Sequence, residues 1–164
     1  MECFGTFVFT LLFIEQSQAV LLVGLWVLTI FAWKISCAQL NPAVTLAYMF
    51  RQDSKRIHFS LGLLMMCAQI LGAYIGALYM AFIEWEVTAI HPTQKSYWFS
   101  AMMQETLGTF IFVTFYKIVT DERLYFSKET AINCFIISSS YVAARSIVAG
   151  SGDITDFGAC LNPA

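Results

Sequence analysis

The chain has 164 residues, of which 59% are apolar, 16% aromatic and only 12% charged; nine Lys and Arg against eleven Asp and Glu leave a formal charge of −2. Soluble domains carry about 25% charged residues, so with a mean hydropathy of +0.68 this chain has too little polar surface to coat a globule in water, and the same numbers exclude a disordered chain. A nucleic-acid binder is excluded too, because there is no basic excess and no basic cluster beyond Lys55-Arg56. What remains is an integral, multi-pass membrane protein, with the lipid bilayer as its solvent.

A spanning helix needs about 20 apolar residues. Residues 1–14 form an apolar run that ends at Glu15-Gln16-Ser17-Gln18, too short to span unaided. The next run, 19–35, leads into residues 36–50, apolar but interrupted by Asn41-Pro42. Further spans are predicted over about 58–83, 97–119 and 130–149, and the chain stops at Leu161-Asn162-Pro163-Ala164. A helix starting at Pro163 would have no body, so the sequence is expected to belong to a longer protein. Arg51, Lys55 and Arg56 mark one loop and Lys117, Arg123 and Lys128 another, while the intervening loops hold one Lys or none. Positive charge stays on the inner side, so the spans alternate in direction. Glu2 sits where a cleavable signal peptide would carry basic residues, and none is predicted.

Two motifs recur in the same order. Glu2-Cys-Phe-Gly5-Thr6-Phe7 returns as Glu105-Thr-Leu-Gly108-Thr109-Phe110, and Ala38-Gln-Leu40-Asn41-Pro42-Ala43 returns as Ala159-Cys-Leu161-Asn162-Pro163-Ala164. Three spans separate the copies of the first motif, so the repeat is inverted. The expected division is 1–95 for one repeat and 96–164 for a second, incomplete one. Each repeat carries an acid, Glu2 or Glu105, that is costly inside a membrane and needs donors. The expected role of both is structural: to accept hydrogen bonds from the non-helical backbone leading into each Asn-Pro-Ala turn, which lipid tolerates only when it is packed in protein or lines a cavity.

Asparagine is a good N-cap and proline a good first helical residue. Asn41-Pro42 therefore starts a short helix over about 43–50, and Asn162-Pro163 starts another. One such motif is an ordinary capped helix. Two, in inverted halves, bring two helix N-termini together near the midplane, each with roughly half a positive charge. Each Asn then offers an amide donor to a passing hydroxyl oxygen, while cations are repelled. No nucleophile–base pair or phosphate loop accompanies this, so an enzyme is not expected. The five cysteines lack CxxC spacing, and His58 and His91 have no ligand-spaced partner, so neither metal nor cofactor is expected. Gly72 and Gly76 form a GxxxG for close helix approach. The Phe-rich faces (Phe4, Phe7, Phe9, Phe13; Phe110, Phe112, Phe115) are expected against lipid or core.

These features resemble the aquaporin family, the major intrinsic proteins. The likeness rests on Ser36 to Ala47, on Cys67-Ala68-Gln69-Ile70-Leu71-Gly72-Ala73 with Gly76-Ala77, on the paired E-x-x-G-T-F segments and on the second Asn162-Pro163-Ala164. It implies an all-α membrane fold with an inverted repeat: five of six spanning helices are present here, plus two half-helices, the second truncated. It also implies a homotetramer with one pore per subunit, passing water or small neutral solutes such as glycerol. Several positions depart from the pattern. Lys34, Cys37 and Gln39 occupy the region where glycine and histidine are common, and an arginine expected after the second motif lies past Ala164. The remaining filter positions point to Leu21 or Val23 and to Ser146, which replaces the histidine of strict water channels, with Arg145 beside it. Cys160 is expected at the outer pore entrance. Two other functions fit parts of the pattern: a non-conducting, aquaporin-like subunit of a larger membrane complex, and an active transporter with broken helices, which would need coupling carboxylates at the midplane.

Overall fold

In the chain's computed structural model, residues 1–14, 17–52, 56–84, 98–121, 123–124, 126–149 and 159–164 are described. Among them the regular structure is helical throughout: α1 Glu2–Ile14, α2 Gln18–Ser36, α3 Pro42–Met49, α4 Phe59–Glu84, α5 Trp98–Thr120 and α6 Thr130–Ala149. The apolar runs and the helices coincide to within a residue or two. Their ends follow from local chemistry. Ser17 caps α2 by accepting from the Val20 N–H at 3.4 Å, and α2 stops where Cys37 turns left-handed (φ 59°), its N–H bonded to the Trp33 carbonyl. Asn41, extended at φ −153°, caps α3, and Pro42 opens it. The charged loop expected at 51–56 includes residues 53–55, which lie outside the described residues, as do 85–97 with His91, and 150–158.

Three helices, α2, α4 and α6, are long and apolar enough to cross a membrane, and α1 is apolar but has only 13 residues. Lipid supplies no hydrogen bonds, so hydroxyls on spanning helices must be satisfied within the helix. On α6 Ser138 donates to the Cys134 carbonyl and Ser146 to Val142, and on α5 Thr106 donates to Met102 and Thr114 to Phe110, all four residues back.

Two compact units are formed, one from Met1–Thr88 with Asn162–Ala164 and one from Ala89–Leu161. In the first, α1 lies along α4. A Cβ on Gly72 would strike the Cys3 backbone carbonyl, and one on Gly76 would meet Thr10 Cβ at 2.9 Å and the Phe7 carbonyl at 3.1 Å. The GxxxG is therefore the seam at which these two backbones touch. Leu21, Leu25, Leu28, Ala32, Val44 and Tyr48 fill the core, while Phe31, Ile35 and Phe82 are more than two-thirds exposed. Apolar residues turned outward are what a lipid-facing surface demands. In the second unit α5 packs on α6, and Phe112 sets its ring edge against Tyr141 at 5.2 Å and Tyr116 at 6.0 Å. The Phe-rich stripes divide accordingly: Phe9, Phe13 and Phe112 are buried, and Phe4, Phe110 and Phe115 face outward.

Candidate functional site: two acid-held turns

The first turn is built around Glu2, buried at the start of α1. One carboxylate oxygen accepts from the Ser36 hydroxyl at 2.5 Å. The other accepts from the Leu40 N–H at 2.8 Å and from Gln69 Nε2 at 2.6 Å. Gln69 donates its second N–H to Thr45 Oγ1 at 2.9 Å, and Thr45 lies in the first turn of α3 with its hydroxyl 3.3 Å from the Asn41 carbonyl. One acid thereby ties together α1, the end of α2, the turn, α3 and α4. Charge-assisted bonds of this kind are about twice as strong as neutral ones.

The second turn repeats the scheme around Glu105 on α5. Its oxygens accept from the Cys160 N–H at 2.6 Å and the Leu161 N–H at 2.7 Å. Leu161 is the repeat partner of Leu40, and both adopt left-handed backbone, at φ 55° and 48°. Gly5 and Gly108 make the matching room: a Cβ on Gly5 would run into the Leu40 side chain, and one on Gly108 into Leu161 and, at 2.8 Å, Val148. Each E-x-x-G thus has two tasks, an acid that takes the leucine N–H and a glycine that leaves space for its side chain.

At the tips of the turns the two asparagines behave alike. Asn41 Oδ1 accepts from the Ala43 N–H at 2.8 Å, and Asn162 Oδ1 from the Ala164 N–H at 3.1 Å. Using the oxygen for capping leaves the amide nitrogen turned away from its own helix. Asn162 Nδ2 donates to the Leu40 carbonyl at 3.0 Å, within the first unit. The second motif therefore sits against the residue preceding Asn41, and one of the two Asn162 amide hydrogens is already engaged.

The family profile described as Major intrinsic protein matches residues 2–164. The chain belongs to the major intrinsic protein family. Members of this family are integral membrane channels and not enzymes. The fold is similar to that of the aquaglyceroporin from Plasmodium falciparum seen in its X-ray structure, with a TM-score of 0.65 at 20% identity over 95% of this chain and 72% of that one. No curated protein matches the sequence.

For this major intrinsic protein, the other positions singled out from sequence are distributed as follows. Leu21 is fully buried on α2, whereas Val23 is 55% exposed. Ser146 is exposed on α6, and its neighbour Arg145 is buried. Lys34 is exposed in the last turn of α2. None of the five cysteines forms a disulfide. One participant in the turns escaped the sequence reading, Tyr141, and Ser36 and Thr45 entered it only as parts of the Ser36 to Ala47 motif. Gln69 had been quoted only as part of a motif. A lone amide in the apolar run of α4, spaced three and seven residues from Gly72 and Gly76, was the available signal that it faces α1.

Proposed function

We propose that this protein is a passive channel for water and small neutral solutes such as glycerol, with Asn41 and Asn162 as its central hydrogen-bonding pair. A solute oxygen that leaves bulk water regains hydrogen bonds from the asparagine amides. A cation meets the positive end of α3, worth roughly half an elementary charge, and the oppositely directed start of the second motif, and gains nothing from them. Pro42, Ala43, Pro163 and Ala164 begin the half-helices, and Glu2 and Glu105 hold the turns in front of them. Residues 1–95 and 96–164 act as repeats crossing the membrane in opposite senses. Leu21 or Val23 with Ser146 contribute to the narrow filter, and four copies associate, as family resemblance suggests.

The observation that most supports this reading is the 3.0 Å bond from Asn162 Nδ2 to the Leu40 carbonyl, which sets one motif beside the other. The test is stopped-flow light scattering on liposomes holding the complete protein. Water permeability is expected well above that of empty vesicles, without a proton leak. Asn41→Asp keeps the capping oxygen for the Ala43 N–H and removes the amide donors. It is expected to lower the thermal midpoint, since a buried carboxylate is costly, to lower water permeability and to admit cations. Wild-type protein that inserts and conducts nothing would reject the channel and leave a structural subunit.

A further inference from the structure

The second turn has a feature that the first does not share among the described residues. The Cys160 peptide is gripped on both sides: its N–H goes to Glu105 at 2.6 Å, and its carbonyl accepts a hydrogen bond from the Tyr141 hydroxyl. The next N–H, that of the left-handed Leu161, also goes to Glu105, and Asn162 follows directly. The hydroxyl is fixed from its own side as well. Tyr141 is 1% exposed, and its ring stands edge-on to Phe112 at 5.2 Å, which in turn meets Tyr116. In the first turn the stiffening comes from extra donors on the acid, Ser36 and Gln69. Glu105 receives only the two backbone N–H groups among the described contacts, and a tyrosine on α6 supplies the remaining restraint.

We infer that Tyr141 is a positioning residue for transport: by holding the Cys160 carbonyl it fixes the backbone that aims Asn162. The inference rests on the channel reading above. A consequence is that this carbonyl is occupied by a protein donor, so at this level the solute is served by Asn162 as donor. The Cys160 carbonyl and the Leu161 N–H belong to one planar peptide, held by Tyr141 and Glu105 respectively, so loosening it should let Leu161 shift and carry the adjoining Asn162 with it.

Tyr141→Phe removes the hydroxyl and keeps the ring in its aromatic cluster. Water permeability is expected to fall by about two- to tenfold, the factor one hydrogen bond supports, with a changed water-to-glycerol ratio. The Cys160 thiol is expected to react faster with a methanethiosulfonate reagent in detergent, a readout that does not depend on conduction. Tyr116→Phe, in the same ring cluster, is the control and should move neither quantity. Unchanged permeability ratio and thiol rate in Tyr141→Phe would overturn the inference. So would a Tyr141→Phe protein that fails to fold, since positioning requires an intact scaffold, or equal changes in the Tyr116→Phe control. A non-conducting wild type with faster Cys160 labelling in Tyr141→Phe would reject the channel and retain the clamp.

Discussion

Leucine adopts left-handed backbone reluctantly, at roughly 1–2 kcal/mol per residue, yet Leu40 and Leu161 both do so. In each case a buried or half-buried glutamate takes the strained residue's N–H, and the bond to a charged acceptor offsets the strain. Glu2→Gln replaces an acceptor by an amide that presents hydrogens to three donors. It is expected to cost on the order of 3 kcal/mol, within the range for leaving buried donors unsatisfied by a charged partner. Glu105→Gln, facing two donors, should cost less, and thermal unfolding in detergent orders the two. Cys37 is also left-handed, at φ 59°, at the C-cap of α2 where glycine is usual. Cys37→Gly should therefore raise stability by about 1 kcal/mol, read as a higher thermal midpoint. These acids were legible as a matched pair because E-x-x-G-T-F occurs twice. The reason for the leucines was not, since nothing in a leucine announces positive φ.

Helix α3 is eight residues long, too short to be stable alone in water. It persists because Asn41 and Pro42 start it and Thr45 ties it to Gln69 on α4. The seam between α1 and α4 is the other point at which an element depends on single atoms. Gly72→Ala drives a methyl into the Cys3 backbone, which cannot swing aside, and should cost about 1–3 kcal/mol. Gly76→Ala meets contacts of 2.9 and 3.1 Å and should cost less. Comparing the two by denaturation in mixed micelles checks the order; equal effects would mean that α4 shifts as a rigid rod. The GxxxG was readable from spacing, but its partner was not, because any close-packed helix would satisfy it.

Across the whole molecule, the balance of apolar and charged residues decides the solvent and the family match decides the class, a membrane channel. Selectivity is a finer property, set by side chains at the narrowest point. Ser146 is exposed on α6 and its hydroxyl is already bonded to the Val142 carbonyl, so it presents little bulk. If it contributes to the filter, Ser146→His narrows the path, and glycerol permeability is expected to fall more than water permeability. An unchanged ratio would remove Ser146 from the filter. Val23, more than half exposed, and Leu21, fully buried, compete for the second filter position, and alanine at each separates them by the same ratio.

What was decided by the sequence alone is what local composition and spacing encode: a helical chain for lipid, two acids and two Asn-Pro-Ala turns in repeating order, and the start of α3. What only the tertiary structure decided is which groups meet. Leu40 lies 38 residues from the acid that takes its N–H and 122 from the asparagine that takes its carbonyl, while Tyr141 reaches the Cys160 carbonyl from another helix. Local pattern carries the first kind of information because a helix is specified by its neighbours in sequence. It cannot carry the second, because a buried N–H or C=O must find some partner, and only the packing of distant helices determines which one is within reach.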